Sequence, residues 1–263
     1  MLKALFIAFS MYSRIPVPKT EWDEKSMRYA LCFFPLVGVL TGVVEALAFL
    51  LSGALNADKT FIAAIMCVIP VLISGGIHMD GFIDTVDALS SHKSREEKLR
   101  ILKDPHIGAF AVIYSIVYHI LYFGFLYEAT GFSEKLWLVI FAAGFVCSRI
   151  MSGMLAVSLK KAKTDGTLKE FSDKADKKVR GILTAELFIL SAALLGFALL
   201  TKSLEILCAL GLMALCIVMI SLYFKRMAYR EFGGITGDLC GYYLQLAELF
   251  VPASVVITRL LWR

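Results

Sequence analysis

The chain has 263 residues, 59% of them hydrophobic, and its mean hydropathy is +0.74. Soluble domains are nearer half apolar, whereas the apolar runs here reach the roughly 20 residues that cross a bilayer. The net charge of +5 could suit nucleic acid, but the basic residues lie in short segments between apolar runs, as in membrane proteins. We therefore exclude nucleic acid as a partner and expect an all-α fold, a polytopic integral membrane helical bundle within the lipid bilayer.

The first predicted element is a short apolar helix over residues 2–11, which we interpret as lying in the membrane interface and ending before Arg14 and Pro16. About seven transmembrane helices follow. Their predicted ranges are 31–52, 60–76, 109–127, 136–157, 181–201, 204–224 and 241–258. Gly38 and Gly42 in the first span form a small-xxx-small pair, which is typical of helix packing.

Lysine and arginine are distributed unevenly between the two sides that these spans define. One side receives 21 of the 27 basic residues and the other receives five, while Arg149 lies inside a span. Because cytoplasmic loops carry such an excess, we expect a cell inner (cytoplasmic) membrane protein with its N-terminus and active site facing the cytoplasm. The basic segments are 1–30, 77–108, 158–180 and 225–240. We expect the third of them to contact lipid headgroups.

Three aspartates, Asp80, Asp84 and Asp87, follow the second span directly. Their i, i+4, i+7 spacing places them on one stripe of a helix, where like charges repel each other. No Lys or Arg lies between Met79 and Ser91 to relieve that repulsion. A divalent cation would relieve it, and Mg²⁺ and Mn²⁺ accept carboxylate ligands. We favour a metal site over the two alternatives, a proton or ion pathway and a solvated helix face.

The segment between the second and third spans contains further polar candidates. Lys103 could contact a phosphate and Asp104 could extend the metal shell, although both also fit an ordinary turn before Pro105. Hard divalent cations prefer oxygen ligands, so hydrogen bonding or substrate contact suits His78 better than metal ligation, with a structural role as the alternative. The substrate-binding candidates of this segment are His78, Lys103 and His106.

A glycine-rich turn precedes the last span. Gly233, Gly234 and Gly237 would let backbone N–H groups approach an anion, and the following helix N-terminus adds its positive dipole end. Thr236 and Asp238 are polar groups that could hold a phosphate or a metal-bound water. The turn therefore adds four substrate-binding candidates, Gly234, Thr236, Gly237 and Asp238.

Arg149 lies deep within the fourth span, where a cation needs a buried partner or a polar cavity. Glu45, Glu186 and Glu248 are candidate partners within the spans, and the sequence does not choose among them. Arg149 could bind substrate or belong to a structural ion pair.

No serine-histidine-acid arrangement or Walker loop is evident, so a metal site beside a phosphate-binding turn indicates phosphoryl transfer.

Four segments together resemble the cobalamin synthase family, whose members are adenosylcobinamide-GDP ribazoletransferases. These segments are GGIHMDGFIDTVDAL at 75–89, LKDPHIGAF at 102–110, the serine-arginine pair of the fourth span, and GGITGDLCG at 233–241. The resemblance begins at SRIPVP, residues 13–18, and reaches the final span, so it covers almost the whole chain.

This resemblance implies that adenosylcobinamide-GDP is joined to α-ribazole, or to its 5′-phosphate, giving adenosylcobalamin or its 5′-phosphate plus GMP, late in cobalamin biosynthesis. Residues 1–263 would then form a single integral membrane transferase domain. The implied cofactor is Mg²⁺, with Mn²⁺ as an alternative. A homo-oligomer, or an association with other enzymes of cobamide assembly, stays open.

On this basis Asp80 and Asp84 would hold a metal ion on the pyrophosphate. Asp87 would bind a second metal ion or accept the proton of the ribazole hydroxyl. The metal-ligand candidates are therefore Asp80, Asp84, Asp87 and Asp104, and the catalytic candidates are Asp84 and Asp87.

Two other functions fit parts of the pattern. The aspartate stretch is loosely similar to the motif of CDP-alcohol phosphotransferases, which would act on a lipid or another alcohol. A secondary transporter could use Arg149 and the span glutamates as an ion path. Transporters usually place such charges near the midplane of two repeated halves, whereas this chain has no visible repeat and its aspartates lie at a span end.

Overall fold

The computed structural model describes residues 1–132, 135–162 and 177–262, and in these ranges it contains helices and no β-strand, which confirms the all-α fold. The α-helices are α1 Leu2–Tyr12, α2 Glu24–Ala30, α3 Phe34–Ala54, α4 Lys59–Ser74, α5 Ile77–Ser90, α6 Arg95–Ile101, α7 Ala109–Thr130, α8 Trp137–Ser158, α9 Lys177–Thr201, α10 Leu204–Met227 and α11 Gly237–Trp262. A 3₁₀ turn, Leu31–Phe33, joins α2 to α3, and a π-helical turn, Ala228–Phe232, follows α10.

The described helices confirm a multi-pass membrane protein. Six helical segments are long and apolar enough to cross a membrane, and a seventh is obtained when α4 and α5 count as one broken span. The predicted second span, 60–76, corresponds to α4, whose 16 residues extend about 24 Å. Because the chain bends by 94° after α4, we place α4 across the membrane and α5 at its surface, outside the spans.

Two glycines produce the bend between α4 and α5. Gly75 has φ 65° and Gly76 has φ 82°. Both angles lie in the left-handed region, which glycine adopts without the steric cost that a Cβ would add. The helix therefore ends at Ser74, and a new helix starts at Ile77 in a different direction.

Capping residues mark several helix starts. The side chains of Asp23, Asp58 and Ser203 accept hydrogen bonds from backbone N–H groups in the first turns of α2, α4 and α10. Ser94 and Glu97 form a capping box at α6. Such caps satisfy N–H groups that have no partner within the helix.

The centre of the bundle is formed by α8 and α11. The most apolar stretches of these two helices are 67% and 61% buried, whereas that of α9 is 11% buried. Small residues let α3 approach α8. A Cβ on Gly42 would lie 2.9 Å from Ala142 Cα, and one on Gly38 would collide with the Phe145 carbonyl. The predicted packing role of the Gly38–Gly42 pair is confirmed.

The predicted N-terminal helix is present as α1, which extends about 17 Å and is too short to cross a bilayer. Ile7 and Ala8 of α1 pack against Met27 and Ala30 of the next helix. Most of the basic segment 158–180 lies outside the described residues, so its contact with lipid headgroups stays a prediction.

The same glycine-to-alanine change should affect the stability of the protein differently at two positions of α3. Gly42→Ala should lower the thermal unfolding midpoint in detergent, because overpacking costs about 1–3 kcal/mol. Gly53→Ala is the matched control: its Cβ meets nothing within 4 Å, so the midpoint should stay or rise slightly. Equal midpoints for the two variants would contradict the close α3–α8 packing.

Candidate active site

The helix α5 lies across the N-terminal end of α11. A Cβ on Gly81 would be 2.6 Å from the Asp238 carbonyl oxygen, and one on Gly241 would be 2.9 Å from that of His78. The two backbones therefore approach each other as closely as glycine allows. This crossing brings α5 and the start of α11 together although they are far apart in the chain.

Aromatic rings anchor the buried face of α5. The Phe82 ring stacks on Tyr242 of α11, with centroids 5.6 Å apart, and packs against Tyr118 of α7 at 5.3 Å. Met79 and Val86 are buried on the same side. The aspartates lie on the opposite face of α5. The packing of the aromatic face therefore determines which way the aspartates point.

The structure confirms that Asp80, Asp84 and Asp87 share one helix, and it adds Asp238 from the first turn of α11. Burial, together with the negative charges of Asp80, Asp238 and Asp87, raises the pKa of Asp84 to about 7. These four side chains, called the acidic cluster below, therefore lie within electrostatic reach of one another.

The loop before α7 touches the far end of the acidic cluster. A Cβ on Gly108 would collide with the Asp87 carboxylate. Asp104 and His106 lie in the same loop, where the Asp104 carboxylate accepts hydrogen bonds from the His106 backbone N–H at 3.0 Å and pairs with its Nδ1 at 2.7 Å. Lys103 is exposed beside them. Metal binding by Asp104 and substrate binding by Lys103 and His106 stay predictions.

The glycine-rich turn is held by its own hydrogen bonds. The N–H of Gly234 donates to the Ala228 carbonyl at 3.1 Å, and that of Ile235 donates to Lys160 at 2.9 Å. A Cβ on Gly234 would lie 2.6 Å from the Lys160 carbonyl oxygen. Close packing therefore accounts for Gly234, and its N–H could bind an anion only by giving up that bond.

The neighbouring residues Thr236, Gly237 and Asp238 begin α11. The Thr236 hydroxyl accepts a hydrogen bond from the Leu239 N–H at 3.3 Å and donates to the Asp238 carboxylate at 3.3 Å. Thr236 thus caps the helix and orients Asp238. Gly237 is exposed at the rim of a cavity described below, which is consistent with its predicted place in a binding site.

Arg149 has a structural partner. Its guanidinium pairs with Glu248 of α11, and its Nη1 also donates to the Phe145 carbonyl at 2.9 Å and the Ser148 hydroxyl at 3.2 Å. Arg149 is 1% exposed. Glu248 is therefore the partner that the sequence could not select, and direct substrate binding by Arg149 stays a prediction.

Two cavities flank the N-terminal half of α5. The first, called the ring cavity below, has a volume of about 390 Å³. Its lining includes Tyr12, Trp22, Phe34, His78, Asp80, Ser152, Ala156, Gly237 and Asp238. The second, called the polar cavity, has a volume of about 610 Å³ and is lined by residues that include Arg14, Ser74, Gly76 and Asp80.

The sequence reasoning did not assign Tyr12, Arg14, Trp22 or Ser152 to the site. Arg14 was interpreted only as a helix end, yet its side chain packs against Gly75, at the bend beside the acidic cluster. The SRIPVP segment, which contains Arg14, was one of the residue strings that carry the family resemblance, and it was the available signal. Tyr12, Trp22 and Ser152 had no local signal.

His78 forms part of the wall between the ring cavity and the protein interior. Its ring stacks on Tyr12, with centroids 6.2 Å apart, and lies 5.6 Å from Phe34. Burial, with the positive charge of Arg149, lowers the pKa of His78 to about 3, so the imidazole is neutral. Its Nε2 is buried without a hydrogen-bond partner in the described part of the chain. His78 thus lines the ring cavity, and substrate binding by this residue stays a prediction.

The acidic cluster suits a hard divalent cation in its donor chemistry. Within the described ranges, no three His, Cys, Asp or Glu side chains converge on a point where they could hold a metal ion. Mg²⁺, however, is usually held by one or two carboxylates together with substrate phosphates and water. The repulsion that raises the pKa of Asp84 is the kind that such a cation relieves.

The helices and the acidic cluster together define a multi-pass membrane protein with a carboxylate-rich site at one end of its bundle. The chain belongs to the Cobalamin-5-phosphate synthase family, whose model matches residues 4–256. This match confirms the resemblance found in the sequence. No solved structure matches the chain.

Curated relatives are similar over almost their full length. A protein of Lachnoclostridium phytofermentans is 46% identical over 258 residues, which cover 98% of this chain and 95% of the relative. Proteins of Clostridium perfringens strain SM101 and Clostridium botulinum strain Eklund 17B are 31% and 33% identical, with 94% and 95% of each chain covered. All three are named adenosylcobinamide-GDP ribazoletransferase. The comparisons do not support the CDP-alcohol phosphotransferase or the transporter.

Removing one partner of the Arg149–Glu248 pair should destabilise the protein strongly. Arg149→Met or Glu248→Met alone leaves a buried charge without its partner, at a cost of about 3–5 kcal/mol. The double variant should cost much less than the sum, which unfolding midpoints in detergent would measure. The Arg259–Glu205 pair, 2.7 Å apart with side chains 25% and 21% exposed, is the control and should show weaker coupling. Strictly additive costs at the buried pair would contradict its interaction.

Proposed function

We propose that this protein is an adenosylcobinamide-GDP ribazoletransferase, a membrane phosphotransferase. It transfers the adenosylcobinamide phosphate from GMP to α-ribazole or α-ribazole 5′-phosphate, in the final part of cobalamin assembly. The family match over residues 4–256 and the relatives' shared name support this reaction. The observation that carries it is the acidic cluster, formed by α5 and α11 beside two cavities.

The reaction breaks a phosphoanhydride bond and forms a phosphodiester bond. A hydroxyl oxygen of the ribazole attacks the cobinamide-side phosphorus, the bond from that phosphorus to the GMP oxygen breaks, and the hydroxyl proton must leave. In such transfers a protein acts mainly by positioning the groups and stabilising their charge. The candidate for taking up the proton is Asp87.

Asp80 lines both cavities. The two substrates could therefore approach Asp80 from different sides. In the polar cavity the Arg14 side chain lies beside the bend at Gly75 and Gly76. A guanidinium matches the geometry of phosphate oxygens. We therefore assign the polar cavity to the diphosphate of adenosylcobinamide-GDP, with Arg14 as a positioning contact.

A divalent cation fits this arrangement, and we propose Mg²⁺, with Mn²⁺ as a substitute. Asp80 and Asp84 would hold it, with Asp87 or Asp238 on its outer side. When bound, the cation supplies charge neutralisation on the diphosphate and on the departing GMP. Asp80 and Asp84 would determine where the cation lies, because the crossing with α11 fixes the position of α5.

Asp84→Asn should lower turnover at least about a thousandfold, because it removes a carboxylate that would hold the cation at the diphosphate. Production of GMP and of the cobamide by purified protein in lipid nanodiscs measures this loss. Chelator treatment should abolish wild-type turnover, and added Mg²⁺ or Mn²⁺ should restore it.

The control for this experiment is Asp58→Asn, the same change in a capping residue at the opposite end of α4. Asparagine also caps helices well, so this variant should keep wild-type turnover and stability. Near-normal turnover of Asp84→Asn, or undiminished activity of the chelated wild-type protein, would remove the proposed site.

We further propose that the acidic cluster faces the cytoplasm in the cell inner membrane, since 21 of the 27 basic residues fall on its side. A single cysteine introduced at exposed Lys93 in a cysteine-free variant should resist a membrane-impermeant maleimide in intact cells and react after permeabilisation. A cysteine replacing Lys59, at the opposite end of α4, should react in both. The reverse pattern would place the site outside.

A further inference from the structure

The ring cavity is lined on one side by aromatic side chains from the N-terminal part of the chain. The ring centroids of Tyr12 and Phe34 are 4.1 Å apart, and His78 extends this group of rings. Trp22 lies at the mouth of the cavity and is 48% exposed. This wall offers flat π surfaces.

Small side chains of α8 also line the ring cavity. They are Ser152, Gly153 and, one turn later, Ala156. Together with the rings, these small residues leave room for a ligand to stack on the aromatic wall. A planar fused ring fits such a space, because aromatic rings stack on one another with a lateral offset.

One end of the ring cavity is acidic. Asp80 of α5 and Asp238 of α11 line it, and Gly237 is at its rim. A ligand with a planar apolar ring at one end and hydroxyl groups at the other would therefore point its hydroxyls at the acidic cluster. That is the direction in which a phosphoryl acceptor has to point.

We propose that the ring cavity binds the acceptor nucleoside, with the planar base of the ribazole between the ring wall and α8 and its ribose towards Asp80 and Asp238. This inference rests on the proposed function and specifies where one of its two substrates binds. The cavity volume of about 390 Å³ is within the range of pockets for small ligands. An α-ribazole molecule fits within this volume as a whole, whereas a corrinoid that carries GDP does not.

Two substitutions test the ring cavity without touching the acidic cluster. Trp22→Ala removes the ring at the mouth, and Ala156→Leu fills the space opposite the rings. Each should raise the KM for α-ribazole about tenfold or more, while kcat and the KM for adenosylcobinamide-GDP change less than twofold. Steady-state GMP release in nanodiscs gives these constants.

Trp262→Ala is the matched control. Trp262 is also 48% exposed, but it lies at the opposite end of α11, so its loss should leave both KM values unchanged. Equilibrium dialysis of α-ribazole against the nanodisc-embedded protein, without the second substrate, should show the same order of affinities. If Ala156→Leu lowers the unfolding midpoint, Trp22→Ala decides the test, since its side chain is half exposed.

Two results would overturn the assignment of the cavity. Unchanged KM values in both variants would show that the acceptor binds elsewhere. A raised KM for adenosylcobinamide-GDP alone, or a changed lipid requirement alone, would assign the cavity to the other substrate or to an acyl chain. In these cases the wild-type protein still releases GMP and the proposed function stands. A wild-type protein that forms no GMP from the two substrates would refute the function itself.

Discussion

The 94° bend between α4 and α5 is the constraint on which the site depends. A helix that continued straight through Gly75 and Gly76 would carry three aspartates along a span, where burying each charge is costly. The bend takes them out of the span instead, and the glycines make it sterically accessible. The acidic cluster can then meet polar substrates at the end of the bundle while the protein remains embedded.

The crossing of α5 with α11 converts a stripe on one helix into a site between two. Gly81 and Gly241 allow the backbones to touch, so Asp238 joins the aspartates of α5. Burial and the neighbouring like charges both raise the pKa of Asp84. Carboxylates grouped in this way are stabilised by a divalent cation or by a ligand that brings one. The proposed Mg²⁺ would therefore relieve a repulsion that the crossing of the two helices creates.

Charged side chains are arranged differently inside the bundle and at its end. Inside the bundle, the Arg149 guanidinium and the Glu248 carboxylate neutralise each other while 1% and 2% exposed, and they tie α8 to α11. At the bundle end, the four carboxylates of the acidic cluster lie close to one another and are exposed or partly buried. The buried pair holds the two central helices whose ends form the walls of the ring cavity, so the inner pair supports the geometry of the outer site.

The sequence by itself determined the features that repeat along the chain. Apolar runs indicated the spans, the period of the helix aligned Asp80, Asp84 and Asp87, and the glycine pair in α3 indicated close packing. Each of these depends on near neighbours, whose spacing is visible in one sequence. The roles of Lys103, Asp104 and His106 stay predictions because an exposed loop has no such period.

Tertiary structure alone decided which distant residues meet. It selected Glu248 for Arg149, paired the N–H of Ile235 with the Lys160 carbonyl, and brought the rings of α1 and α3 to His78 of α5. These contacts join residues up to 99 positions apart, and side-chain pairing over such distances leaves no periodic signal in a single chain. The cavities exist only because those segments pack together.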